Sequence, residues 1–327
     1  MRAVIGDELG SPDHYVLKDV DVPEPGANDL QVRVLVSGMG YVDALVSRGL
    51  YQVKPPVPYC PGLEFAGTVS AVGERVQGFA VGDRVAVSAF GGGLAEYAVA
   101  PAAAAQRIPE RLDLHVAAGF IVNYVTAWHG LIDRGALQPG ETVLVLGAAG
   151  GTGIAAVQVA RMAGARVIAG ASTDTKRRYA LEHGAHESID YTQSDWRQTL
   201  KTLTDNRGVD VVFDPVGGDL LEPAFRSLAW RGRHLVIGFA GGPIPALPVN
   251  LALLKGSALV GVDYRQFGSV FEQQAAAEIR RKLFSAVERG DLQPPRGMSF
   301  PLERFREAME LAASRDGLGK TIVEIAG

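Results

Sequence analysis

The amino-acid sequence predicts an α/β protein in which a doubly wound parallel sheet is joined to a second, β-rich domain. Three features predict it. From residue 141 onward, short β-branched runs alternate with helix-like segments, the pattern of strands joined by crossover helices and therefore parallel. The first of these strands runs straight into a glycine-rich turn and a helix. The first third of the chain instead has β-rich runs separated by Gly, Pro or Asp, as turns require.

In chain order, strands are expected at 30–37, 65–72, 84–88 and 95–100. Residues 112–131 follow as a helix with an apolar face and a kink. The alternating region gives strands at 142–146, 166–169, 186–190, 209–214, 233–237 and 258–262. Helices are expected between and after them at 153–163, 175–183, 196–204, 220–227 and 251–255. A further helix at 271–289 is rich in Ala, Glu and Arg. A return segment at 298–301 leads to a helix at 302–314 and a last strand at 320–325. The tail has no place in a six-strand sheet, so it is expected to pack back on the N-terminal β domain. The expected division is 1–122 with 265–327 as one domain and 123–264 as an inserted one. The cleft between them is the expected active site.

The turn Gly147-Ala148-Ala149-Gly150-Gly151-Thr152-Gly153 is the most informative segment. A strand, a glycine turn and a helix together bind a dinucleotide pyrophosphate. Glycine lets the backbone turn tightly and approach the phosphates, and the new helix aims free N–H groups at them. Ala149, Gly150, Gly151, Thr152 and Gly153 are the expected phosphate contacts. The first glycine of the usual G-x-G-x-x-G is Ala148 here. NAD-preferring folds carry an acid at the end of the next strand, about 20 residues on. This chain has Gly170-Ala171-Ser172-Thr173, then Asp174 and Lys176. Small hydroxyls and a nearby cation accept a 2′-phosphate that a carboxylate would repel. Ser172 and Lys176 therefore point to NADPH, while Arg177 and Arg178 read as a solvated helix start.

Composition narrows the remaining classes. At 327 residues, 47% hydrophobic and 21% charged, the chain suits two soluble globular domains. A net charge of −4 offers no basic field for nucleic acid. No apolar stretch approaches the roughly 20 residues of a membrane helix. The opening residues meet acids at once, unlike a signal peptide. With one cysteine, Cys60, no internal disulfide can form, which fits a reducing cytoplasm. Cys60 reads as a small, partly buried residue, a reactive thiol being the alternative. The six histidines show no metal spacing and read as surface or structural residues.

Further motifs carry a family resemblance over nearly the whole length. They are Gly49-Leu50-Tyr51 with Pro55-Pro56, Pro61-Gly62-Leu63-Glu64-Phe65-Ala66-Gly67, and Val81-Gly82-Asp83-Arg84-Val85. With them go the glycine turn and Gln158, Asp214-Pro215-Val216-Gly217-Gly218, Gly238-Phe239, and Asn250-Leu251-Ala252-Leu253-Leu254-Lys255. The chain resembles the zinc-free, ζ-crystallin-like quinone oxidoreductases of the medium-chain dehydrogenase/reductase superfamily. That resemblance implies a GroES-like β domain plus a Rossmann doubly wound parallel sheet domain. It also argues against zinc: the Gly-His-Glu triplet of the zinc alcohol dehydrogenases reads Gly62-Leu63-Glu64, and their Cys position falls near 41–43. A structural zinc lobe would need four cysteines.

The resemblance further implies site residues. Tyr51 sits where related enoyl-thioester reductases carry a proton-donating Tyr. Its phenol would hydrogen-bond the nicotinamide ribose or the substrate carbonyl, or protonate the α-carbon; a quinone can instead take its proton from water. Asp43 matches the acid of an Asn-x-x-Asp motif whose Asn is Gly40 here. It reads equally as a catalytic residue or as a helix-start hydrogen-bonding residue. Thr126 is implied at the nicotinamide, with a packing role as the alternative, and Tyr191 beside the adenine ribose. Gly238 and Phe239 end a later strand and face the ligand. Arg265 and Arg315 read as solvated charge ahead of substrate contacts.

The leading expectation is a cytoplasmic, NADPH-dependent reductase of quinones or α,β-unsaturated carbonyls (enones), without metal. An enoyl-thioester (acyl-CoA) reductase ranks lower because the sequence shows no basic patch for CoA phosphates. A non-catalytic NADPH-binding protein is the third reading, kept open by Gly40. Residues 259–263 look like an exposed sheet edge, and in the resembled family such strands pair across a two-fold axis. The expected partner is therefore a second copy of the chain, in a homodimer.

Overall fold

The computed structural model describes residues 1–325. Its elements run β1 (Arg2–Gly6), β2 (Tyr15–Asp19), β3 (Asp29–Met39), α1 (Tyr41–Ser47), β4 (Glu64–Val72), β5 (Arg84–Ser88), β6 (Tyr97–Pro101), β7 (Ala105–Arg107), α2 (Leu114–Ala117) and α3 (Ile121–Trp128). There follow β8 (Thr142–Leu146), α4 (Gly151–Met162), β9 (Arg166–Ala171), α5 (Asp174–Glu182), β10 (Glu187–Asp190), α6 (Trp196–Leu203), β11 (Val209–Asp214), α7 (Leu221–Arg226) and β12 (Leu228–Val236). The last are α8 (Asn250–Lys255), β13 (Ala258–Gly261), α9 (Tyr264–Gln266), α10 (Gln273–Arg289), β14 (Met298–Pro301), α11 (Phe305–Ala313) and β15 (Thr321–Glu324).

Two compact units result, residues 1–122 with 295–327, and residues 123–294. In the first, a sheet runs β14-β15-β3-β4-β5-β7, with β6 also pairing β3 and β1–β2 forming a separate antiparallel pair. Its strands alternate inward apolar residues, so Leu30, Val32 and Val34 of β3 pack with Phe65, Val85, Val87 and, from the tail, Phe300 and Phe305. The return of the tail is as expected for 298 onward: β15 pairs antiparallel with β3, Thr321 opposite Met39.

In the second unit all strands are parallel, in the order β10-β9-β8-β11-β12-β13. Counted from β8 this is 3-2-1-4-5-6, the doubly wound order whose ligands lie at the carboxyl ends of the strands where the order reverses. β8 is buried along its whole length, as a strand covered on both faces must be.

Three expectations need correction. Residues 265–294 do not return to the first unit. The buried face of α10, Ala276, Ile279, Leu283, Phe284 and Ala286, belongs to the second unit, and the segment after it is tied to α4 through Gln158. The helix read at 112–131 is two helices, α2 and α3, separated at Ala118–Phe120, and it continues past Trp128 as a π-turn, His129–Arg134. The β1–β2 pair at the start of the chain was not anticipated.

Candidate active site

The glycine turn leads from β8 directly into the start of α4. Gly147 takes a left-handed φ of 59°, which sends the chain back under β8. A Cβ on Gly153 would lie 2.2 Å from the Gly147 carbonyl oxygen, so only glycine allows α4 to start this close to the turn. At Gly150 a Cβ would meet nothing nearer than 3.5 Å. That glycine leaves open space on the accessible side of the turn. Gly150 offers no side-chain cap to α4. The N–H groups of the first turn, Gly151, Thr152 and Gly153, have no intrahelical acceptor and stand at the positive end of a twelve-residue helix.

A residue missed in the sequence holds this turn from the side. The Asn123 carboxamide oxygen accepts the Thr152 hydroxyl at 2.9 Å, and its nitrogen lies 2.8 Å from where a Gly151 Cβ would be. Asn123 belongs to α3, as does buried Thr126. Nothing in the local pattern marks an Asn for a partner in another element.

Beyond β9 the chain carries Ser172, half-buried, and then α5, whose N-cap Thr173 hydroxyl accepts the Lys176 N–H at 3.3 Å. Arg177 is engaged by Asp174, by Asp190 at 2.9 Å and by the Ala171 carbonyl, so it anchors the strand ends. Burial would raise the Asp190 carboxyl. Hydrogen bonds from Thr192 and Gln193, with the Arg177 charge, outweigh that and lower it. The Tyr191 ring covers Gly170, 3.3 Å from where a Cβ would stand. Ser172, Lys176 and Tyr191 thus all follow the carboxyl ends of β9 and β10.

At β11, Asp214 is buried and its Oδ1 accepts the N–H groups of Val216 and Gly217, both at 2.8 Å. Its Oδ2 pairs with buried His234 at 2.9 Å. This fixes the turn through Gly217, whose left-handed φ of 62° lets Phe239 pack 2.9 Å from the position of a Cβ. Gly238 and Phe239 are therefore held at the carboxyl end of β12 by the Asp-Pro-Val-Gly-Gly segment.

In the first unit, Tyr51 follows α1 and packs half-buried on the core, its ring 6.3 Å from that of Phe90. Asp43 is buried, and both of its oxygens accept backbone N–H groups at 2.8 Å, from Gly40 and Leu63. It closes the start of α1 and pins the turn before β4, a positioning role. Glu64 is also buried, accepting the Val122 N–H at 3.1 Å and the Lys320 ammonium at 3.1 Å. Burial raises the carboxyls of Asp43 and Glu64, and the Lys320 charge opposes that rise in each. Burial pushes the Cys60 thiol up to about 12, against a reactive thiolate.

Leu63, in the place of the His ligand, packs in the core of the first unit. Among the described residues no three His, Cys, Asp or Glu side chains converge as metal ligands.

Comparison with known proteins agrees with this architecture. The alcohol dehydrogenase GroES-like domain matches residues 26–110, and the zinc-binding dehydrogenase family matches residues 151–281. The quinone oxidoreductase-like protein 2 of Rattus norvegicus is 38% identical over 330 residues, covering 99% of this chain and 92% of that protein. The quinone oxidoreductase of Sus scrofa is 36% identical over 99% of this chain and 97% of its own. The crystal structure of Escherichia coli quinone oxidoreductase complexed with NADPH is 27% identical, with a TM-score of 0.90 over 99% of this chain and 100% of that one. The chain belongs to the quinone oxidoreductase family of the medium-chain dehydrogenase/reductase superfamily, with a GroES-like domain and a Rossmann domain.

Proposed function

We propose that this protein is an NADPH-dependent oxidoreductase that reduces a quinone or an α,β-unsaturated carbonyl without a metal. The observation that carries the reading is the open first turn of α4 at the reversal point of a 3-2-1-4-5-6 sheet. The NADPH held by the Escherichia coli relative supports the same cofactor here. Bound NADPH supplies a hydride from its nicotinamide.

In this reading Ala149, Gly150, Gly151, Thr152 and Gly153 hold the pyrophosphate. Ser172 and Lys176 hold the 2′-phosphate, and Tyr191 lies along the adenine ribose. Thr126, Gly238 and Phe239 bound the nicotinamide. Tyr51 contacts the substrate, and Asp43 positions the start of α1. A conjugated carbonyl needs no Lewis acid to accept hydride, because the electron pair has an oxygen to move to. That agrees with Leu63 in the ligand position. The chain works as a homodimer in the cytoplasm.

Calorimetry and stopped-flow oxidation of bound NADPH by quinones, enones and an enoyl-CoA test this. NADPH is expected to bind at least about tenfold more tightly than NADH, a preference that Lys176→Ala removes, as loss of a charge-assisted phosphate contact would. Turnover is expected with quinones or enones and little with the thioester. Tight NADPH binding with no turnover of any acceptor would instead make the protein a nucleotide-binding module.

A further inference from the structure

His234 is fully buried in β12, where it stands in register between Val212 of β11 and Leu259 of β13. Interior positions of a parallel sheet are normally apolar. The His234 Nε2 meets Asp214 Oδ2 at 2.9 Å. Its Nδ1 is buried with no hydrogen-bond partner among the described residues, so the ring carries its proton on Nε2, where the carboxylate accepts it. A buried polar pair often serves stability no better than apolar side chains of similar volume. What the pair holds explains it better.

Asp214 Oδ1 is taken by the N–H groups of Val216 and Gly217, so His234 supplies the donor for the other oxygen. The turn held in this way touches two further segments. Val216 Cγ2 lies 3.0 Å from where a Gly147 Cβ would stand, and its Cγ1 2.9 Å from where a Gly241 Cβ would stand. Backbone hydrogen bonds zip the same turn to the loop after β12. The Gly238 N–H donates to the Asp214 carbonyl at 3.3 Å, Ala240 to Pro215 at 3.2 Å and Gly241 to Val216 at 2.6 Å. β8 and β11 are neighbours where the strand order reverses, so Val216 lies beside the glycine turn at the place where such sheets take a dinucleotide. One chain of contacts, wholly within the second unit, thus runs from His234 through Asp214 to Val216, and on to Gly147 and to 238–241.

We infer that His234 is a positioning residue for the nicotinamide half of NADPH: through Asp214 it sets the Val216 turn and the 238–241 loop as one fixed wall beside the glycine turn. This rests on the reading that NADPH lies across the carboxyl ends of this sheet with Gly238 and Phe239 at the nicotinamide. Being fully buried, His234 acts through the wall and not on the cofactor itself. A wall already ordered before binding loses little freedom when the nicotinamide settles against it. The adenine half, read at Ser172, Lys176 and Tyr191, follows β9 and β10 on the other side of β8 from β11 and β12. Its binding should not depend on His234.

Calorimetry with NADPH and with adenosine 2′,5′-bisphosphate, which has the adenine and the 2′-phosphate but no nicotinamide, tests the inference. His234→Leu removes the donor and keeps the site filled. It should bind the bisphosphate like the parent but NADPH at least about tenfold more weakly, as when a preorganised surface must be ordered on binding. His234→Gln returns an N–H near the place of Nε2 and should recover most of the NADPH affinity. If the pair serves stability alone, folded His234→Leu binds both ligands like the parent and only its melting temperature moves; that result overturns the inference. An equal loss of both ligands overturns it too, because it marks general damage to the unit. Should His234→Leu not fold, Val216→Ala cuts the same chain of contacts at a half-buried residue. The same split between the ligands is expected there, and parental NADPH affinity in that variant would count equally against the inference. A parent protein that binds neither ligand would instead sink the NADPH reading, and the role of His234 with it.

Discussion

Gly150 and Gly153 stand in one turn and are glycine for different physical reasons. At Gly153 an added methyl meets the Gly147 carbonyl at 2.2 Å, so Gly153→Ala must move either the turn or the helix. It should cost ~1–3 kcal/mol, the usual range for overpacking, seen as a lower melting temperature. At Gly150 the methyl would have only ordinary contacts, and φ −77° suits alanine. Gly150→Ala should therefore melt within about 0.5 kcal/mol of the parent yet lose at least about tenfold in NADPH affinity by calorimetry, because the methyl fills the place of a phosphate oxygen. Parental affinity in Gly150→Ala would mean that the nucleotide does not lie in this turn.

At the scale of elements, Gln158 decides where a helix belongs. Its side-chain oxygen accepts the Tyr124 hydroxyl at 3.0 Å and the Gln293 N–H at 3.1 Å, and its nitrogen donates to the Gln293 carbonyl at 2.8 Å. Gln158→Leu leaves the Gln293 peptide groups without these partners and should cost about 2 kcal/mol by urea denaturation; an unchanged midpoint would show that water replaces the amide. The sequence made the six parallel strands legible because each is a short β-branched run bounded by turn residues, and the order of strands and helices restricts their connections. It made the glycine turn legible because that chemistry is local. The amphipathic pattern of α10 announced a helix but not the unit it belongs to. Asn123 with Thr152, Asp214 with His234, and Glu64 with Lys320 are pairs made by the fold between distant residues. Such pairs leave no periodic trace, and so His234 read as an ordinary histidine and Lys320 passed unnoticed. β1 and β2, each a five-residue run, were missed.

At the scale of the whole molecule, the second unit ends its sheet in an unprotected way. β13 pairs β12 along one side, with Leu259 opposite His234, and is the terminal strand of the order. Leu259 is exposed, and so are Leu253 and Leu254 of α8 and Trp230 of β12, at 81%, 69% and 72%. Trp230 packs 3.1 Å from the position of a Gly256 Cβ, which places it against the end of α8. An open strand edge invites pairing with another chain, and apolar side chains of this size clustered on a surface mark an interaction site. A second copy satisfies both, because antiparallel pairing of β13 with its own symmetry mate continues the sheet and brings two identical apolar surfaces together. Light scattering on the purified protein should therefore give twice the 34.6 kDa of one chain. Leu259→Lys, which places a charge on the edge as natural sheets do to prevent such pairing, should shift the protein towards the single-chain mass. NADPH affinity per chain should not change, since the α4 turn stands on a different strand of the sheet. A parent protein that runs at 34.6 kDa at every concentration would remove the dimer, and the exposed apolar residues around β13 would then have to serve a different partner.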